Sequence, residues 1–337
     1  MSGGFDSTYA ALKLIEDGYS VEGAVLVMHD CTDVAAAEYA CAKIGIPLHV
    51  IDVKKQFASV VVADFLNEYK NARTPNPCII CNREIKLKYL YLYAMENGFD
   101  KIATGHYARV VEKEIDGKKR YTVGVGLDKA KDQSYMLARV DEQIISKLIL
   151  PLGCEIKKNL RESASDDMPA KDQKDSLEIC FIPDNNHVGY LNERLGASPI
   201  GNFVDTAGNV LGKHKGLYSY TVGQRKGLGI ALGKRMFVTE INANNNTVTL
   251  DAHEQECEEI TVKSVVYTAA PEYKGGDVIN ADVKIRYSKA AVPANVTVIN
   301  KDTLRVNFAS PVKSPTPGQS AVLYVDNCVL AAGIIDG

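Results

Sequence analysis

The sequence predicts an α/β protein with a doubly wound parallel sheet, followed by a small β-rich central domain and a C-terminal β-barrel. From residue 9 to about residue 105, stretches with helical apolar spacing alternate with short apolar runs. That alternation is typical of parallel strands connected by helices. After residue 236 the pattern changes to short alternating runs separated by Asn-rich and Gly-rich turns, which favours an all-β structure.

Length and charge limit the possible architectures. A chain of 337 residues is too long for one ordinary core, and we expect three domains at 1–185, 186–254 and 255–337. The net charge of −3 excludes an overall basic field, so a nucleic-acid site would have to be a local patch. No apolar run reaches the roughly 18 residues of a membrane span, and no signal peptide is recognisable. We therefore expect a cytoplasmic protein whose eight cysteines are reduced.

The elements of the first domain follow in order from periodicity and capping signals. Asp33 is a predicted N-cap and Gly45 a predicted helix end. The predicted helices are 9–17, 34–44, 57–69, 84–97, 142–148 and 157–165, the predicted strands of this domain are 21–28, 46–53 and 102–104, and later β runs are 247–250, 282–287 and 295–299. Ligands of parallel sheets bind beyond the carboxyl ends of the strands. The segments that we expect along that edge are 2–8, Met28, the loop before Asn82 and 105–107.

A Gly-rich turn opens the first helix, and it reads Met1-Ser2-Gly3-Gly4-Phe5-Asp6-Ser7-Thr8. Its two glycines allow a close backbone approach to a ligand, and Ser7 and Thr8 are candidate helix caps. Backbone N–H groups at a helix start favour an anion, and phosphate fits best. The turn is neither a Walker A motif, which needs a Lys, nor G-x-G-x-x-G. The alternative is a disordered Ser/Gly-rich terminus with a fortuitous cap.

Two cysteine-containing segments suggest thiol chemistry. Cys81 precedes the predicted helix 84–97, where the helix dipole would lower its pKa, and Lys86 would add positive charge. From the spacing of Cys78 and Cys81 alone, a nucleophile, part of a metal or cluster site, and an inert pair all remain open. Cys180 ends an apolar run, and such a cysteine is more often part of the packing than of the chemistry.

Short motifs that occur together in one protein family are found along the whole chain, in the same order. They lie at 2–7, 74–82, 103–107, 131–135, 180–182, 220–230, 286–287 and 316–322. Together they resemble the bacterial tRNA 2-thiouridine synthases, a family of PP-loop ATP pyrophosphatases. The resemblance implies that ATP adenylates the C2 oxygen of the wobble uracil, and that a protein persulfide then delivers sulfur to the activated carbon.

The resemblance also implies the roles of individual residues. Cys180 would carry the persulfide and Cys81 would be the nucleophile that completes the transfer, with a Cys81–Cys180 disulfide as a product. ATP would lie against Met1, Ser2, Gly3, Gly4, Phe5, Asp6, Ser7, Thr8, Met28 and Gly105. The residues implied for the target base and tRNA are Asn76, Pro77, Cys78, His106, Lys131, Asp132, Gln133, Arg286, Tyr287 and Gln319.

Cofactors and partners follow from the same resemblance. Mg²⁺ would accompany ATP, with Asp6 as a nearby carboxylate. The partners would be tRNA and a sulfur-donor protein, either a cysteine desulfurase or a sulfur-relay protein.

The sequence departs from the family pattern at two places. Cys78 stands where the family usually has Asp, so an alternative is a [4Fe–4S] cluster held by Cys78, Cys81 and Cys180. The family has an apolar strand ahead of the Gly-rich turn, whereas here Met1 abuts the turn, which predicts a slot with unpaired edges in the sheet and weakened ATP binding.

Two other functions compete with thiolation. One is a synthetase that adenylates a small molecule and then admits an amine, which would need no cysteine. The other is a degenerate tRNA-binding protein that lacks ATP activity.

Overall fold

Helices and strands alternate through the first part of the chain, as the apolar spacing predicts. The computed structural model describes residues 1–173, 179–182 and 184–336. Its α-helices are Phe5–Glu16, Val34–Ile44, Lys54–Phe57, Ala63–Lys70, Pro77–Cys81, Leu87–Glu96, Ser134–Leu137, Glu142–Ile145, Lys157–Ser163 and His187–Leu195. Short π-helical segments span Ala58–Val62 and Asn82–Lys86, and a 3₁₀ turn spans Leu217–Ser219. None of the described helices is long and apolar enough to cross a membrane.

Local capping signals fix the second helix where the sequence predicts it. Asp33 accepts a hydrogen bond from the Ala36 N–H at 2.9 Å, and Gly45 ends the helix with a φ of 74°. The first helix begins at Phe5, four residues before the predicted start, because Gly4 takes the N-cap position. Ser7 and Thr8 are therefore not caps, and their hydroxyls instead donate to the Gly4 carbonyl within the first turn.

The parallel sheet of the first domain consists of two parallel pairs. Gly23–Val27 pairs with Leu48–Asp52, and Ile102–Ala103 pairs with Leu148–Ile149. Within the described residues no hydrogen bond of a strand ladder joins the two pairs. Beside the first pair, the Met1 ammonium donates to the Ala24 carbonyl. The predicted parallel pairing is confirmed.

The C-terminal part is a closed six-stranded barrel. Antiparallel ladders join its strands around the ring, which closes where Val262 pairs with Ile335. The strands are Glu256–Tyr267, Val278–Lys284, Val292–Asn300, Thr303–Lys313, Ser320–Val325 and Cys328–Ile335. Alternate side chains point inward, as β periodicity requires, and fill the interior with aliphatic residues such as Val296 and Leu304. The predicted barrel is confirmed.

A hairpin that the sequence analysis missed belongs to the barrel sheet. Ala108–Ile115 and Lys118–Val125 are joined by Asp116 and Gly117, which have φ angles of 52° and 70°. Two positive φ angles are typical of the tight hairpin turn that Asp-Gly favours, so the dipeptide was an available signal. The second strand pairs with Cys328–Ile335, which joins the hairpin to the barrel sheet.

The central β-rich part is a four-stranded sheet. Its strands are Gly201–Val204, Val210–His214, Phe237–Asn242 and Thr247–Asp251. Phe203 and Val248 lie on its inner face, where Tyr220 and Met236 from the intervening loops pack against them. This segment therefore has a core of its own between the first domain and the barrel.

Candidate active site

The Gly-rich turn, residues 1–8, is called the nucleotide loop below. Gly3 has a φ of 76°, and a Cβ there would lie 2.5 Å from the Ala36 carbonyl carbon. A Cβ on Gly105 would lie 2.6 Å from the Asp6 carbonyl oxygen. The loop is thus held tightly between the second helix and Gly105, in front of the first turn of helix Phe5–Glu16. Contacts with the protein backbone explain the need for glycine at both positions, and the helix start fits the binding of a phosphate group.

Asp6 already has partners on both carboxylate oxygens. Its Oδ1 accepts from the Tyr107 hydroxyl at 2.8 Å, and its Oδ2 lies 2.7 Å from Nζ of Lys157. Lys157 is 6% exposed, so its charge is compensated inside the protein by this carboxylate. Each carboxylate oxygen can accept a second contact and the Asp6 side chain is 33% exposed, so the role of Asp6 beside Mg²⁺ stays a prediction.

The helix that carries two of the thiols begins earlier than predicted. It runs continuously through residues 77–96, and is called the thiol helix below. Asn76 is its N-cap and Pro77 its first residue, a position where the missing N–H of proline costs nothing. The prediction that the helix begins at residue 84 is wrong. Cys78 lies in the first turn and Cys81 in the second, so the helix dipole acts mainly on Cys78.

Burial determines the state of Cys81. Its side chain is 5% exposed, and its Sγ lies 3.7 Å from Sδ of Met28. Burial raises the pKa of Cys81 to about 12, although Lys86 acts in the opposite direction. The predicted lowering of this pKa is wrong, because the cost of a buried thiolate exceeds the help of the dipole.

Lys86 is a shared cation for the three predicted thiols. Desolvation by the surrounding protein raises the pKa values of Cys78, Cys81 and Cys180, although only Cys81 has a buried side chain, and the Lys86 ammonium lowers each of them in part. Burial alone would lower the pKa of Lys86, but the thiols outweigh it and the pKa is raised. The structure therefore brings Cys180 into electrostatic reach of Cys78 and Cys81, although about 100 positions of sequence separate them.

The three thiols differ in access. Cys78 and Cys180 are exposed, whereas Cys81 is buried, and all three are free in this structure. The implied Cys81–Cys180 disulfide is thus not formed here. Part of the segment that suggested Cys180, residues 174–178 and Pro183, lies outside the described residues.

The described residues do not fit an iron–sulfur cluster. Among them, no set of three or more His, Cys, Asp or Glu side chains is arranged to hold a metal ion. Electrostatic proximity of the thiols is a weaker condition than the short metal–sulfur distances of a cluster. The structure gives the [4Fe–4S] alternative no support.

His106 lies at the same edge as the thiols. Its Nδ1 is 2.8 Å from Oγ1 of Thr104, and burial, with Lys86 as a second cause, lowers its pKa to about 3. The imidazole is therefore neutral at physiological pH and offers hydrogen bonds without charge. Such a group suits a neutral base better than a phosphate.

Several predicted tRNA-contacting side chains make bonds within the protein. Asp132 is buried and accepts from the N–H groups of Gly126 and Ser134, and Oε1 of Gln133 accepts from the Tyr107 N–H. Lys131 is half-buried, and Tyr287 is 37% exposed. The structure places Asn76, Pro77 and Cys78 beside the thiol site, and it engages two further members of the predicted set, Arg286 and Gln319, in bonds between segments.

Lys157 was not predicted as a member of the site, whereas Lys86 was predicted only as a positive charge that would help Cys81. Lys157 had no sequence signal, because its partner Asp6 lies 151 positions away. The five-residue spacing from Cys81 to Lys86 hides their proximity in an α-helix, where neighbours are three or four apart. The π-helical segment Asn82–Lys86 widens the turn, so that the Lys86 backbone N–H bonds to the Cys81 side chain.

Comparisons with known proteins cover the whole chain. Family models match three consecutive segments, the "tRNA methyl transferase HUP domain" at 1–184, the "tRNA methyl transferase PRC-barrel domain" at 188–251 and the "Aminomethyltransferase beta-barrel domain" at 257–335.

Relatives that match this chain over nearly its full length share about 40% sequence identity with it. A protein of Clostridium acetobutylicum named tRNA-specific 2-thiouridylase MnmA is 40% identical, over 99% of this chain and 98% of its own. Proteins of the same name from Acetivibrio thermocellus and Clostridioides difficile are 39% and 38% identical, over 99% and 100% of this chain and 97% and 96% of their own.

Proposed function

The chain belongs to the family of tRNA-specific 2-thiouridylases, and we propose that it catalyses the ATP-dependent 2-thiolation of the wobble uridine of tRNA. The observation that carries the proposal is the contact of Cys81 with Met28, with Cys78, Cys180 and Lys86 within electrostatic reach of Cys81. Met28 directly follows the strand Gly23–Val27, at the sheet edge that also carries the nucleotide loop. An activated base and a sulfur donor could therefore meet there.

The first step joins the base to AMP. The C2 oxygen of the uracil attacks the α-phosphorus of ATP, and pyrophosphate leaves. The nucleotide loop would hold the phosphates with its backbone N–H groups and helix start. Mg²⁺ would accompany ATP and neutralise the leaving pyrophosphate, and Asp6, which pairs with Lys157, is the nearby carboxylate. Adenylation is needed because oxygen at C2 is a poor leaving group until it is phosphorylated.

The second step delivers sulfur. The terminal sulfur of a Cys180 persulfide attacks C2 and AMP leaves, so that the base and Cys180 are joined through two sulfurs. A Cys81 thiolate then attacks Sγ of Cys180, forming a Cys81–Cys180 disulfide and releasing the 2-thiouridine. Lys86 would stabilise that thiolate, since the pKa of Cys81 is raised to about 12 by burial. An external dithiol would reduce the disulfide before the next cycle.

The partners follow from the same scheme. Cys180 is exposed, so that a sulfur-donor protein, either a cysteine desulfurase or a sulfur-relay protein, could load it. The tRNA would reach the site past Asn76, Cys78 and His106, whose neutral imidazole suits the base. This substrate implies action in the cytoplasm.

The names of the family models refer to methyl transfer and those of the relatives to thiolation. Thiolation agrees better with this site, because an ATP-type phosphate loop and a set of thiols around a cation have no joint use in methyl transfer.

The proposal is tested by replacing the thiols one at a time. Cys180→Ser should lose 2-thiouridine formation on a U34-containing tRNA while retaining tRNA-dependent release of pyrophosphate from ATP. Cys81→Ser should accumulate the tRNA joined to Cys180 in a single turnover, which reducing agent would release. Cys154→Ser, which changes an exposed cysteine outside the site, is the matched control. Full thiolation by Cys180→Ser would overturn the mechanism.

A further inference from the structure

The loop at residues 74–76 leads directly into the thiol helix, and is called the approach loop below. Its position determines where Cys78 and Cys81 lie, because Asn76 is the N-cap and Pro77 the first helical residue. Pro75 is buried, and the Thr74 N–H donates to the Pro317 carbonyl at 2.9 Å. That partner belongs to the barrel, more than 240 positions along the chain.

Gln319 binds the approach loop from the barrel side. Its Nε2 donates to the Thr74 carbonyl at 2.9 Å and to the Pro75 carbonyl at 3.0 Å. The neighbouring Gly318 has a φ of 91°, and a Cβ there would lie 2.9 Å from the Thr74 carbonyl oxygen. One amide group thus satisfies two carbonyls that precede the helix and cannot bond within it.

The same barrel segment, residues 316–320, reaches the helix N-cap. The Tyr135 hydroxyl donates to the Ser320 carbonyl at 2.8 Å and bonds to the Asn76 side chain. Asn76 in turn accepts from the Ile79 N–H in the first turn of the thiol helix. We call residues 316–320 the barrel strap.

The other end of the barrel strap is tied to the central β-rich part. The Arg286 guanidinium donates to the carbonyls of Val222 and Ser314 and to Oγ1 of Thr316. Arg286 is half-buried, so these bonds are partly shielded from water. The strap therefore connects the central part, the barrel and the start of the thiol helix.

We propose that Gln319 is a positioning residue. Its two hydrogen bonds to the approach loop hold the start of the thiol helix, and thereby Cys78 and Cys81, in place beside Cys180. The proposal rests on the proposed function, since positioning matters only if those thiols react. It gives Gln319 a role within the protein in addition to the tRNA contact that the family resemblance implies. Its side chain has its donor group directed at Thr74 and Pro75.

The test compares Gln319→Glu, which keeps the shape but removes the donor, and Gln319→Met, which removes both polar atoms. Gln255→Glu, an exposed glutamine at the entrance to the barrel, is the matched control. The first measurement is the alkylation rate of Cys81 by iodoacetamide without tRNA. In both Gln319 variants this rate should rise on the order of tenfold, because loss of the hydrogen bonds allows the start of the thiol helix to open. The control should react like the parent.

The second measurement determines kcat and KM for tRNA separately. Misplaced thiols should lower kcat by about 10- to 100-fold. A raised KM with unchanged kcat and unchanged Cys81 alkylation would show that Gln319 acts through tRNA alone, and would overturn the proposal. Unchanged values throughout would also overturn it.

Two features keep the outcome interpretable. Thermal unfolding of both variants identifies a folding defect, and if both fail to fold, protection of the Ile79 amide from hydrogen exchange in the parent protein is decisive. Exchange of that amide as fast as in an exposed loop would overturn the proposal. Alkylation does not depend on sulfur transfer, so full thiolation by Cys180→Ser would refute the mechanism and leave the positioning result intact.

Discussion

At the scale of single residues, the thiols of the site differ in their exposure to water. Cys81 was predicted to be an activated thiol from its place near a helix start, yet it is 5% exposed and its pKa is raised to about 12. Cys78 occupies the first turn and is exposed. Burial costs a thiolate more than a helix dipole returns, so the more exposed thiol is the more reactive one at rest.

Timed alkylation tests this order of reactivity. At pH 8 a thiol with a pKa of about 12 is ionised in roughly one molecule in ten thousand, so iodoacetamide should modify Cys81 far more slowly than Cys78 or Cys180. Peptide mass mapping of the parent protein measures all three rates in one experiment. Cys154, also exposed, supplies the reference rate. Cys81 reacting as fast as Cys154 would contradict the burial seen here.

At the scale of elements, short irregular segments position parts of the site. The π-helical segment Asn82–Lys86 brings Lys86 onto Cys81. The hairpin formed by Ala108–Ile115 and Lys118–Val125 extends the barrel sheet toward the first domain. Both features depend on irregularities that apolar spacing does not reveal, a widened helical turn and a two-residue hairpin turn.

Glu142 anchors that hairpin. Its carboxylate receives two hydrogen bonds of 2.7 Å from Arg120 and others from the N–H groups of Tyr121 and Ala269. Burial by itself would raise the pKa of Glu142, but these bonds outweigh it and the pKa is lowered below 4.5. A carboxyl with a depressed folded pKa contributes stability above its unfolded pKa and loses it as the pH falls through the folded pKa.

We therefore expect Glu142→Gln to reduce the free energy of unfolding by about 1–3 kcal/mol at pH 7. The difference from the parent should shrink as the pH falls from 4.5 through the lowered folded pKa of Glu142, because the parent carboxylate becomes protonated over that range. Urea unfolding at pH 7 and pH 3 measures it. Glu112→Gln, on the same hairpin but exposed, should change the stability much less because water screens its pairs. A pH-independent difference for Glu142→Gln would contradict this account.

At the scale of the whole molecule, polar contacts between distant segments fix the active site. Arg73, which directly precedes the approach loop, donates to Glu68 at 2.8 Å, to Asp336 at 3.2 Å and to the Ile335 carbonyl at 3.0 Å. It thereby joins the first domain to the end of the barrel. The domain limits 1–185, 186–254 and 255–337 stay predictions, since these segments share one continuous set of contacts.

Arg73→Met should lower the free energy of unfolding by about 1–3 kcal/mol, because it leaves partly buried acceptors without a donor. Arg305→Met is the control, since Arg305 is 54% exposed and 3.7 Å from Glu259, and a surface pair of this kind contributes at most about 1 kcal/mol. Denaturant unfolding compares the two variants. Equal effects would show that Arg73 does not hold the first domain against the barrel.

The sequence by itself determined what depends on neighbouring residues and on motif order. Helix Val34–Ile44, with its cap at Asp33 and its end at Gly45, was predictable because capping acts over three or four positions. Local turn residues predicted the Gly-rich loop. The apolar patterns along the chain predicted an α/β domain, a β-rich segment and a barrel in that order, and the order of the motifs predicted the family. The role of Cys180 was implied only by resemblance, whereas Cys81 was also suggested by its place near a predicted helix start.

Only the tertiary structure decided the charge state and the partners of the site. The Asp6–Lys157 pair spans 151 positions and the Gln319–Thr74 bond spans 245. Burial of Cys81 and the action of Lys86 on three thiols likewise depend on which distant segments meet. Desolvation and electrostatic energies are set by distance in space and by exclusion of water, and neither quantity is a function of local sequence.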